Sequence, residues 1–133
     1  MTQAMILCAG FGTRLSELTK DRPKPMLKVG DKPILEHTIN QLKKFGITKI
    51  VINLHYLPDQ ITSYFGNGEN FGVEITYSYE DKPLGTSGAI KKVEKTLEKS
   101  KEFLVIYGDI LTDLNYSDFI NFIDFKDNGD TYN

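Results

Sequence analysis

Met5-Ile6-Leu7-Cys8-Ala9-Gly10-Phe11-Gly12-Thr13-Arg14 is the stretch on which the fold of this chain turns. Met5 to Cys8 is apolar without alternation, which reads as a strand buried on both faces. It empties into a loop with glycines at 10 and 12 and an arginine at 14. A strand buried on both faces needs parallel neighbours and helices above and below. The sequence downstream offers both. Lys49 to Asn53 (KIVIN), Val73 to Tyr79 and Phe103 to Tyr107 (FLVIY) are short runs rich in β-branched and aromatic residues. Between them lie segments of helical period: Leu35, Ile39, Leu42 and Phe45; then Leu57, Ile61, Tyr64 and Phe65; then Ile90, Val93 and Leu97. Gly46 and Gly66-Asn67-Gly68 punctuate the first two. Ser117 or Asp118 is placed to cap a last helix through Phe119, Phe122 and Ile123.

Strands alternating with helices predict a Rossmann-like three-layer α/β/α architecture around a mostly parallel sheet. The chain has 133 residues, enough for one domain with its own core. No repeat, linker or low-complexity tract divides it. It stops just after the last expected helix, where an open α/β sheet usually continues, so a truncated sheet is expected, from a fragment or a short natural form. The net charge of −2 gives no overall field that would favour nucleic acid or an anionic membrane. The aromatic residues fall at core periods, which argues against a platform for stacking bases. A single cysteine, Cys8, excludes an intrachain disulfide and fits a reducing compartment. Neither a signal peptide nor a membrane-length apolar run is evident, so the cytoplasm is the expected location.

The first loop leaves its strand at the carboxyl edge of the sheet, where open α/β folds bind ligands. Glycines there let backbone N–H groups approach phosphate oxygens, and Arg14 adds a planar fork suited to phosphate. No Walker string G-x-x-x-x-G-K-[ST] occurs. The dinucleotide fingerprint G-x-G-x-x-G fails at Leu15, which disfavours a nicotinamide-dependent oxidoreductase. Three segments match another pattern. They are Leu7 to Leu15 with Arg22-Pro23-Lys24-Pro25-Met26-Leu27, then Leu84-Gly85-Thr86-Ser87-Gly88-Ala89, then Gly108-Asp109. In that order and spacing they resemble the sugar-phosphate nucleotidyltransferase family and span nearly the whole chain.

The resemblance implies an enzyme that joins a nucleoside triphosphate to a sugar 1-phosphate and releases pyrophosphate. It makes residues 1–133 the nucleotide-binding, N-terminal part of a larger catalytic domain. It implies that Leu7, Ala9, Gly10, Phe11, Gly12 and Thr13 cradle the nucleotide and that Arg14 stabilises the leaving pyrophosphate. Lys24, stiffened by Pro23 and Pro25, would bridge the α-phosphate and the incoming sugar phosphate. Asp109 would hold Mg²⁺. Glu80, Gly85 and Thr86 would line the base pocket. A carboxylate at 80 accepts from both N1–H and N2–H₂ of guanine, so GTP is favoured, as in the guanylyltransferases of the family. Ala9 departs from the glycine many members carry, and a second metal-binding aspartate falls beyond this chain. A nucleotide-binding but catalytically incomplete module is therefore the alternative.

Plainer readings stand beside these. Gly10 and Gly12 suit a tight turn, and Asp109 suits a turn cap. Glu80 suits a solvated loop, and Thr86 and Ser87 suit caps for the helix after them. Lys20 and Lys28 read as exposed charges, Arg22 stays undecided, and Asp113 reads as structural. Cys8 reads as a small buried hydrophobe, and His37 and His55 as structural. The oligomeric state stays open: a truncated sheet edge or exposed apolar helix faces would promote a homo-oligomer.

Overall fold

The computed structural model describes residues 2–10 and 19–121. Phe11, Gly12, Thr13 and Arg14, and Phe122 and Ile123 of the expected last helix, lie outside the described residues.

Among these residues four strands form one sheet: β1 (Thr2–Leu7), β4 (Lys49–Leu54), β5 (Glu74–Tyr79) and β6 (Glu102–Tyr107). A two-residue hairpin, β2 (Lys28–Val29) with β3 (Lys32–Pro33), stands apart. The order is β5-β4-β1-β6 and every pairing in the sheet is parallel. The chain builds outward from β1 through β4 to β5, then returns to the other side of β1 with β6. That reversal is a topological switch point, and ligands bind outside the strand carboxyl ends at such a point. The register keeps those ends level: Leu7 lies opposite Asn53 and Tyr107, and Leu54 lies opposite Tyr79.

Helices α1 (Ile34–Lys44) and α2 (Pro58–Phe65) cover one face, and α3 (Gly85–Lys92) and α4 (Glu94–Leu97) the other. On the first face Ile6, Ile50 and Ile52 pack with Leu35, Ile39 and Leu42 of α1 and Ile61 and Phe65 of α2. On the second, Met5 and Val51 pack with Ala89 and Leu97. Each of these side chains larger than alanine contributes about 1.5–3 kcal/mol by leaving water. Burial of β1 from Gln3 to Ile6 follows directly. The three-layer α/β/α expectation therefore holds. No helix of the described residues is long and apolar enough to cross a membrane.

The helix ends follow local chemistry. Lys43 and Lys44 sit in the last turn of α1, where they suit its negative pole, and Gly46 leaves at φ +79°. Pro58 opens α2, where its missing N–H costs nothing.

Three local expectations need correction. The stripe Ile90, Val93, Leu97 is not one helix: Val93, at φ −111°, separates α3 from α4. Thr86 and Ser87 do not cap α3, which begins at Gly85 with no side-chain cap. The last helix, residues 116–121 as described, is capped neither by Ser117 nor by Asp118. Asn115 Oδ1 accepts from the Asp118 N–H at 3.0 Å instead. The β2–β3 hairpin has strands too short to show a period.

On β6, Phe103, Val105 and Tyr107 share a face and stay 39%, 39% and 55% exposed. Their opposite numbers on β1 are Gln3, Met5 and Leu7, on the face that α3 and α4 cover.

Candidate active site

The carboxyl ends of β1, β4, β5 and β6 open onto one cavity of about 430 Å³. From β1 come Leu7, Cys8, Ala9 and Gly10, the start of the glycine loop. Gly10 is exposed, and among the described residues a Cβ there would meet nothing within 4 Å.

Lys24 enters from the 3₁₀ turn Lys24–Met26. Pro23 precedes the turn in extended backbone, and Pro25 and Met26 are buried beneath it. Two prolines and an anchored methionine leave the backbone of Lys24 little freedom. Its Nζ lies 2.7 Å from Asp109 Oδ2, with the two side chains 34% and 28% exposed. The turn-cap reading of Asp109 thus gives way to an ion pair inside the cavity.

Asp109 is placed by its neighbour. The Gly108 N–H donates to the Leu7 carbonyl at 2.9 Å, carrying the end of β6 tight against the end of β1. A Cβ on Gly108 would come 2.5 Å from Cys8 Sγ, 3.1 Å from the Leu7 oxygen and 3.2 Å from Ile6 Cγ2. The glycine before the aspartate is thus required by packing.

Glu80 follows β5 and is 5% exposed, which overturns the solvated-loop reading. Its Oε2 accepts from Asn53 Nδ2 at 2.9 Å and its Oε1 from the Leu84 N–H at 2.9 Å. Asn53, 3% exposed, also accepts from the Cys8 N–H at 2.7 Å through Oδ1. Gly85 starts α3 at φ +73°, a conformation that other residues adopt with strain, and lines the cavity with Thr86. Asn53, Pro83 and Tyr107 line it too, and sequence reading passed over them. For Asn53 a signal existed: an amide inside the otherwise apolar run from Ile50 to Leu54, which is buried to its end.

Cys8 is buried, and burial first, then the charge of Asp109, pushes its thiol far above the usual range. The folded protein is expected to resist alkylation by iodoacetamide at mildly alkaline pH and to react on denaturation. Stoichiometric labelling of native protein, followed by mass spectrometry, would contradict this environment. His37 Nε2 lies 2.8 Å from the Val29 carbonyl and His55 Nδ1 lies 2.7 Å from that of Glu80, so both serve the backbone. Lys20, Arg22 and Lys28 are exposed.

Of the residues singled out in the sequence, Leu7, Ala9, Gly10, Lys24, Glu80, Gly85, Thr86 and Asp109 thus share one cavity. Among the described residues no three acidic, histidine or cysteine side chains group as a metal cage.

The profile of the family described as nucleotidyl transferase matches residues 3–132. The chain belongs to that family. Its relatives include a D-glycero-alpha-D-manno-heptose 1-phosphate guanylyltransferase of Campylobacter jejuni, 44% identical over 115 residues. That match covers 86% of this chain and 51% of the relative. A UTP–glucose-1-phosphate uridylyltransferase of Synechocystis is 38% identical over 123 residues, covering 85% of this chain and 32% of the relative. The crystal structure of HddC from Yersinia pseudotuberculosis complexed with GMP-PN superposes with a TM-score of 0.80 at 36% identity. It covers 91% of this chain and 53% of that one. The chain thus spans about half the length of the first of these nucleotidyl transferases and about a third of the second.

Proposed function

We propose that this chain is the nucleotide-binding part of a sugar 1-phosphate nucleotidyltransferase that favours GTP. The observation that carries the reading is the shared cavity, with a backbone loop, a lysine, an aspartate and a buried carboxylate at one sheet edge. Support for the reaction class comes from relatives named for that reaction with GTP and with UTP. Support for guanine comes from Glu80, from the first of those relatives and from the GMP-PN complex of a structural neighbour.

A phosphate oxygen of the sugar 1-phosphate attacks the α-phosphorus. The bond from that phosphorus to the β-bridging oxygen breaks, and pyrophosphate leaves with the electron pair. No side chain needs to form a covalent bond, so the residues position and neutralise. The backbone of Ala9 and Gly10 meets the phosphate oxygens, the Cys8 N–H being taken by Asn53, and Lys24 draws the two phosphate groups together against their repulsion. Arg14 is assigned by resemblance to the leaving pyrophosphate. The guanine edge donates to Glu80, whose oxygens each use one lone pair within the protein and keep another.

The donor set suits Mg²⁺ only in part. Mg²⁺ is commonly held by one or two carboxylates together with substrate phosphates and water, and Asp109 supplies one carboxylate beside the phosphate site. When bound, the ion would neutralise charge on the phosphate oxygens. The half-length match to the guanylyltransferase favours a second reading, a module that holds nucleotide and turns it over only with further residues.

One experiment separates them. The protein is mixed with GTP, UTP, dTTP or CTP, Mg²⁺ and a panel of sugar 1-phosphates, and both pyrophosphate release and Tm are followed. GTP is expected to raise Tm most. Turnover supports the first reading, and stabilisation alone supports the second. A Tm indifferent to every triphosphate would sink both.

A further inference from the structure

Asn53 links the two halves of the cavity. Its Oδ1 takes the Cys8 N–H, the first donor of the glycine loop, at 2.7 Å. Its Nδ2 donates to Glu80 Oε2 at 2.9 Å. The amide can be oriented only this way, because a flip would set NH₂ against N–H and oxygen against carboxylate. Glu80 is in turn fixed at its other oxygen by the Leu84 N–H, directly before Gly85, and at its backbone by Leu54 and His55. A run of hydrogen bonds therefore passes from Cys8 through Asn53 and Glu80 to the start of α3. Asn53 and Glu80 are both nearly inaccessible, and both line the cavity.

We propose that Asn53 is a positioning residue for base selection. It holds the Glu80 carboxylate in one rotamer and ties that rotamer to the phosphate-binding backbone. The proposal rests on the reading of Glu80 as the base contact. Without the amide, the carboxylate loses one of its two hydrogen-bond donors, keeping only the Leu84 N–H, and is free to turn. Its remaining lone pairs then no longer meet N1–H and N2–H₂ together, and selectivity suffers more than affinity for the triphosphate.

The test compares Kd for GTP and UTP, by calorimetry, in the wild type and three variants. The wild type is expected to prefer GTP by about tenfold or more, the discrimination one buried hydrogen-bonded pair supplies. Asn53→Ala is expected to bring that ratio to within about threefold, chiefly by weakening GTP. In Glu80→Gln the new amide faces two donors, Asn53 Nδ2 and the Leu84 N–H, with a single oxygen. That variant is expected to lose Tm and to bind both nucleotides weakly. Asn53→Asp combined with Glu80→Gln restores every bond with only the one between residues 53 and 80 reversed: the aspartate accepts from Cys8 and from the new glutamine, which still accepts from Leu84. The double variant is expected to recover Tm and to prefer UTP, because a fixed glutamine offers one donor and one acceptor, the pattern of uracil.

The outcomes are distinct. A wild type without base preference overturns the Glu80 reading and this proposal together. A selective wild type whose Asn53→Ala variant loses Tm but keeps its GTP to UTP ratio overturns the positioning role alone. If Asn53→Ala does not fold, the double variant decides. No recovery relative to Glu80→Gln in either Tm or nucleotide Kd would show that residue 53 does not orient residue 80.

Discussion

Lys24→Ala is expected to slow pyrophosphate release by about 10²- to 10³-fold, the usual consequence of removing one preorganised group that meets developing charge. The fold should survive. The Lys24–Asp109 pair is about one-third exposed, and such a pair contributes only about 0–1 kcal/mol once water screens it. The loss should therefore appear in kcat with Tm almost unmoved, and stopped-flow or coupled pyrophosphate assays beside a thermal melt will read both. Lys24→Arg should recover little, because a planar fork does not replace a compact ammonium on a stiffened turn. Asp109→Ala should be slow as well. The double variant should be about as slow as the slower single one, since groups acting on one set of phosphates are not additive. Full additivity would indicate that the ion pair has no shared task.

Gly108→Ala is expected to cost about 1–3 kcal/mol of stability, the range for overfilling a packed interior. The methyl has nowhere to go. Cys8 Sγ at 2.5 Å is itself buried, and the next contact is the backbone oxygen of Leu7. Relief requires the end of β6 to move away from β1, which lengthens the bond from Gly108 N–H to Leu7 and swings Asp109 away from Lys24. Melting should thus fall by several degrees, and activity should fall further than the residual folded fraction explains. Cys8→Ala in the same chain removes the sulfur and should restore part of both. A Gly108→Ala protein with unchanged Tm would show that the two strand ends are not held this close in solution.

The sequence disclosed most of the sheet because the middles of its inner strands are apolar runs, Ala4 to Leu7 in β1 and Ile50 to Ile52 in β4. A strand covered on both faces has few polar positions to blur it, and those of β1 and β4 lie near the strand ends. The cavity was legible for a related reason. Gly10, Lys24, Gly85 and Asp109 all sit at strand or turn ends, in segments whose spacing is distinctive. What escaped was local or long-range. The break between α3 and α4 leaves Ile90, Val93 and Leu97 in period, so nothing in the pattern marks it. The cap at Asn115 lost to Ser117 and Asp118 because all three are good cap residues. Asn53 looked like the polar end of a strand. Its partners are 45 residues before it and 27 after it, a separation no window on the sequence spans.

The strand order also acts as a ruler. Neighbouring strands lie about 4.8 Å apart, so the three gaps from β5 to β6 amount to roughly 14 Å. Under the proposed reading a nucleotide lies crosswise on that scale, its base at β5, its phosphates over β1, its reactive end toward β6. The reacting α-phosphorus thus comes to rest near the ends of β1 and β6, where Lys24 and Asp109 meet, on the side of β1 away from β5. A second reactant can arrive there without passing the base, which lets one scaffold keep its nucleotide and vary the sugar it accepts.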